Sequence, residues 1–212
     1  MSASHPVPAA MPVWRVAALA GYPAIIIIAL VLGQPQWRAL AMPLLAIALV
    51  GPWPASLPGR ALLVLTLGLA LAVIAWPSLA LWPPGLICLS FAAWFGVSLL
   101  PGRRPRIQQF ATLALEAHQE HLPVDSDRWL RGWTWLWTLA LTAFALVALL
   151  LAWQDRASLW LLWVVAGMPV LMITLLLGEH YLRRWRFPEQ PRWSALYFLR
   201  TVARIQPGHL KP

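Results

Sequence analysis

Two short stretches hold most of the side chains in this chain that could do chemistry. In the first, Glu116, His118, Glu120 and His121, the two imidazoles stand three residues apart. On a helix that spacing puts both rings on one face, within reach of a single metal ion. There is no HExxH order and no cysteine ligand beside them, and a wet helix face has the same composition, so no metal is expected. The second stretch lies in the run GEHYLRRWRFP, with Glu179, His180, Arg183, Arg184 and Arg186. Glu179 precedes Arg183 by four residues, the order that suits an ion pair along a helix. Arg186 falls about one turn further on, where it can meet a headgroup phosphate. A third basic set, Arg103, Arg104 and Arg106, leads into IQQFATLALEAHQEHL. Cations are disfavoured at a helix N-terminus, so these arginines suit lipid phosphates under a helix lying on the membrane. The plainer alternative is a solvated connector. The substrate- or headgroup-binding candidates are thus Glu179, His180, Arg183, Arg184, Arg186, Arg103, Arg104 and Arg106.

No catalytic residue can be assigned. GxSxG, P-loop and GxGxxG patterns are absent, as is an Asp-rich motif within a span. No histidine falls in the interior of a span, where a haem or quinone would need one (His180 stands at the very end of the last), so no cofactor is expected. Catalysis is left open, with the balance against it.

The elements that must carry these residues belong to a membrane protein. The chain has 212 residues, 60% of them hydrophobic and 11% charged, with a mean hydropathy of +0.68. A soluble domain carries about 25% charged residues. Here the apolar residues come in long blocks, and lipid is the solvent that accepts them. The fold class is therefore all-α: a single polytopic membrane domain over 1–212, with about six transmembrane helices and cytoplasmic interfacial helices. The net charge of +9 reports orientation rather than nucleic-acid binding. Cys88 is the single cysteine, so no intrachain disulfide can form.

Spanning a core of about 30 Å takes about 20 apolar residues. Spans are expected near 14–33, 39–53, 61–76, 79–100, 133–153 and 159–180. The second and third are short and bounded by prolines, so they either cross or enter and return as a hairpin. The cytoplasmic connector is 101–131 and the cytoplasmic tail 181–212. The first span has no small-residue cleavage site at its far end and is read as an uncleaved helix. With six spans and both termini inside, fourteen of the sixteen lysines and arginines are cytoplasmic, and only Arg38 and Arg156 face the periplasm. If the short pair does not cross, Arg60 changes side and the bias holds. Tryptophans mark two belts: Trp37, Trp76, Trp82, Trp153 and Trp160 outside, and Trp14, Trp53, Trp129, Trp133 and Trp185 inside. Breakers lie at Gly21 and Pro23, at Pro83 and Pro84, and at Gly167, Met168 and Pro169. The last group would kink the sixth helix and could line a cavity there. A final interfacial helix starting near Ser194, with Trp193, Leu196, Leu199 and Ala203 on its apolar side, completes the tail.

The pieces LLPGRRPRIQQFA, HLP, RWLRGWTWLW and GEHYLRRWRFP, in that order, resemble an uncharacterised bacterial inner-membrane family found in gene clusters for aryl polyene pigments, including the xanthomonadin type. The matching positions include Pro101, Gly102, Arg103, Pro105, Ile107, Phe110, Arg131, Thr134, Trp137, Gly178, Glu179, Arg183, Arg184, Phe187 and Pro188. His180 and Tyr181 depart from the pattern, as does the charged stretch before Leu122. The resemblance covers about the C-terminal half and carries over no catalytic residue. It implies an accessory inner-membrane component of pigment biosynthesis or export. Its partners would be the bilayer, anionic lipid headgroups, and an acyl carrier protein or other membrane proteins of the cluster. A membrane transferase acting on a lipid-linked phosphate or acyl substrate is the first alternative. A general transporter subunit or scaffold is the second.

Overall fold

The computed structural model describes residues 12–50, 57–116, 122–123 and 126–188. Every element among them is helical, and no strand occurs among the described residues. In chain order they are α1 (Val13–Val31), a 3₁₀ turn (Pro35–Leu40), α2 (Ala41–Val50), α3 (Leu57–Ala75) and a second 3₁₀ turn (Pro77–Leu81). Then follow α4 (Trp82–Val97), α5 (Arg106–Glu116), α6 (Ser126–Trp153), α7 (Ala157–Leu161), a π-helical turn (Leu162–Gly167) and α8 (Met168–Arg186).

Among the described residues, four stretches are long and apolar enough to cross a membrane: Val13–Val31, Pro77–Val97, Ser126–Trp153 and Ala157–Arg186. With no water to serve them, backbone N–H and C=O groups in such stretches must pair within the segment, and a helix does that. The ten residues of α2 rise only about 15 Å, half the thickness of a bilayer core. α3 has nineteen residues.

Two boundaries differ from the hydropathy reading. α6 begins at Ser126, so the aromatic run expected to lead into a span is already helical. The Ser126 hydroxyl and N–H both donate to the Pro123 carbonyl, at 2.7 and 3.1 Å, and Asp127 sits in the first turn, where its charge suits the helix dipole. α8 runs on to Arg186, carrying the charged motif as the last turns of the helix rather than as a tail. A hydropathy window sees polarity there, but a helix is ended by a backbone event, here at Phe187 before Pro188. The sixth-helix breaker shows as the π turn of Leu162–Gly167 directly before Pro169.

The chain packs as two compact units, one formed by Met1–Gly85 with Val147–Ala166 and the other by Leu86–Leu146 with Gly167–Pro212. The core of the first unit gathers Ile26, Met42, Val73, Leu81 and Trp160, all fully buried. α1 is fastened within it by side chains that reach backbone carbonyls: Arg15 Nε donates to Ala48 at 2.8 Å, and the Tyr22 hydroxyl donates to Ala80. The Pro35–Leu40 turn carries Arg38 inward to Asp155 at 2.6 Å.

The second unit is centred on α4, α5 and α6. Phe95 and Trp137 stack with ring centroids 5.7 Å apart. Cys88 donates its thiol to the Leu141 carbonyl at 3.4 Å. Thr134, Thr138 and Thr142 each donate to the carbonyl four residues back, at 2.8 to 2.9 Å, which satisfies a hydroxyl within an apolar helix.

The tryptophans divide between surface and core. Trp14, Trp37, Trp76, Trp153 and Trp185 are exposed, whereas Trp160 and Trp133 are buried side chains of the two cores.

Candidate functional site

In the second unit the turn after α4 is built on Gly102, whose φ of +78° is a conformation glycine adopts without strain. Ser98 receives the Arg106 backbone N–H at 3.0 Å, and Thr134 receives that of Ile107 at 3.3 Å, so α5 starts against α6 with its first donors satisfied. This placement buries Arg106. Its guanidinium lies over the Trp94 ring at 4.4 Å and donates to Gln109 at 2.9 Å. Burial, with the neighbouring Arg103 charge, lowers the Arg106 pKa from its ordinary value. Arg131 points inward too and donates to the Leu99 carbonyl. Arg103 and Arg104 stay exposed.

The basic set of α8 divides in the same way. Glu179, His180 and Arg183 are buried, with Arg183 Nε 3.3 Å from Glu179 Oε1. Trp133 lies against the helix at Gly178, where a Cβ would meet the indole at an ordinary contact distance of 3.6 Å. His180 meets Tyr181 edge to face at 5.3 Å. Arg184 and Arg186 are exposed. Of the eight candidates, Arg103, Arg104, Arg184 and Arg186 therefore present charge outward, while Arg106, Glu179, His180 and Arg183 are packed inside the unit. His118, Glu120 and His121 lie outside the described residues, as do the side chain of Glu116 and the helix expected near Ser194.

Sequence reasoning did not single out the groove beside this set. It has a volume of about 830 Å³ and is lined by Asp127, Arg128, Trp129, Gly132, Trp133 and Leu136 of α6 with Arg186 and Phe187. Its walls are aromatic. Trp129 meets Trp133 at 5.9 Å and Phe187 at 6.3 Å, both edge to face. Gly132 leaves the floor open, since a Cβ there would meet nothing within 4 Å. Arg128 and Arg186 are exposed and make no ion pair among the described residues. The Trp129 indole N–H is buried without an acceptor. The one acid of the rim, Asp127, already accepts from Gln108 at 2.6 Å. Two exposed guanidinium groups beside an aromatic channel can hold an anion, and guanidinium is the side chain best shaped for phosphate or carboxylate. Arg128 and Gly132, four apart in RWLRGW, were the only trace of this groove in the sequence; nothing local showed that Arg186 would complete it.

Compared with protein families, with curated proteins and with solved structures, the chain matches none.

Proposed function

We propose that the chain is an accessory inner-membrane component of aryl polyene, xanthomonadin-like pigment biosynthesis or export. In this reading it has six spans and both termini in the cytoplasm, and it holds a lipid or carrier-protein partner at the cytoplasmic face. The observation that carries the binding part is the groove of the second unit, where Arg128 and Arg186 offer unpaired positive charge beside Trp129 and Trp133. The pigment context rests on the ordered motifs of the C-terminal half, from LLPGRRPRIQQFA to GEHYLRRWRFP. Deletion of the gene lowers the pigment content of the envelope, and an Arg128→Gln/Arg186→Gln chain that inserts normally restores less of it than the parent chain does. Unchanged pigment amount and location after deletion would sink the proposal.

A further inference from the structure

We infer that the groove along α6 is the seat of a single anionic amphiphile, a lipid carrying a phosphate monoester, with its head on Arg128 and Arg186 and one chain along Trp133 and Leu136. The inference deepens the proposed function and rests on its reading of this groove as a binding site.

Polarity is graded along the helix. Asp127, Arg128 and Trp129 stand in its first turn, and Leu136 lies about 14 Å further along, at 1.5 Å per residue. Charge is therefore confined to one end, and the rest of the channel is aromatic and aliphatic. A soluble anion would leave that second part empty. A neutral chain would leave the two exposed guanidinium groups at the head of the groove without a charged partner from the ligand. Only a molecule with a charged head and an apolar chain serves both ends.

Size separates lipid from protein. A volume of about 830 Å³ is in the range of small-molecule sites, about 300–1,000 Å³. A carrier protein docks instead on a broad face of about 800 Å² per partner. Position agrees as well. α6 is one of the helices long and apolar enough to cross a membrane, so the channel starts at the charged first turn and runs toward lipid-compatible surface. A chain can then enter from the bilayer without leaving it.

The test is native mass spectrometry of the purified full-length chain in mild detergent, with dioleoyl phosphatidic acid or dioleoyl phosphatidylcholine added. The parent chain retains one phosphatidic acid about tenfold better than phosphatidylcholine, the ratio that one charge-assisted hydrogen bond supplies. Arg128→Gln/Arg186→Gln abolishes that preference, and Leu136→Trp, which fills the apolar half, lowers retention of both lipids. Arg156→Gln, an exposed arginine outside the groove, changes nothing. Both groove arginines are exposed, so their replacement leaves the cores intact, and an unchanged melting temperature verifies this for each variant. Equal retention of the two lipids, full displacement by inorganic phosphate alone, or displacement by an added acyl carrier protein overturns the inference. These outcomes are independent of pigment content: loss of pigment on deletion without lipid preference refutes the amphiphile alone, and lipid preference with normal pigment refutes the pigment role alone.

Discussion

Arg38 and Asp155 show how unequal the two halves of an ion pair can be. The Arg38 side chain is 6% exposed and that of Asp155 52% exposed, with 2.6 Å between them. The Arg38 Nε is also buried without an acceptor. Removing Asp155 strands a mostly buried guanidinium without its partner, which destabilises the fold. Removing Arg38 as Arg38→Met takes the buried charge away and leaves a half-exposed carboxylate that water can serve. Asp155→Ala is therefore expected to lower the melting temperature in detergent clearly more than Arg38→Met. Asp155→Asn falls between them, since the φ of +49° at this position suits Asn as it suits Asp and penalises Ala. An Arg38→Met variant as damaged as Asp155→Ala would show that the guanidinium itself holds the unit together.

Close approach of α1 to α2 depends on Gly21. A Cβ added there would lie 2.8 Å from Leu44 Cδ1, too close unless Leu44 moves. Because the obstructing atom is the end of a flexible side chain, Gly21→Ala is expected to be nearly neutral, with helix propensity gained against a small shift of Leu44. Gly21→Ile has no such escape and is expected to cost about 1–3 kcal/mol, read as a drop in melting temperature. Combining Gly21→Ile with Leu44→Ala should recover most of that loss, whereas a general intolerance of size at Gly21 would leave it unrecovered. α6 makes the same point about helices with chemistry at their ends. It places Asp127 and Arg128 at its first turn and apolar residues beyond, so one element supplies both the charged and the apolar part of the groove.

The six-span reading predicts the sidedness of the chain as a whole. In a Cys88→Ala background, single cysteines at Arg60, Arg103 and Arg156 can be labelled in intact cells with a membrane-impermeant maleimide. Arg156→Cys is expected to react, while Arg60→Cys and Arg103→Cys react only after the membrane is permeabilised. Reaction of Arg60→Cys in intact cells would mean that α2 and α3 do not cross, leaving the four long stretches as the spans. Native Cys88 should stay unlabelled in either case, because it is buried and its thiol is bound to the Leu141 carbonyl.

The α-helical membrane class and the four stretches long and apolar enough to cross a membrane, among the described residues, were legible from hydropathy alone, because both are sums over contiguous residues and need no knowledge of packing. The Glu179–Arg183 pair was legible for a similar reason: four residues on a helix fix two side chains on one face whatever surrounds them. Burial was not legible. Arg103 and Arg106 read alike in sequence, yet the turn at Gly102 leaves one in the open and folds the other onto Trp94. Hydropathy could not find the start of α6, which a capping group sets, whereas Pro188 marked the end of α8 in the sequence because a proline disfavours helix in the residue before it. Contacts distant in sequence were decided by the tertiary structure alone. Arg38 and Asp155 are 117 residues apart, and Arg186 meets the groove of Arg128 through the packing of the second unit. Periodicity tells a helix which face to bury, but only packing decides what that face meets.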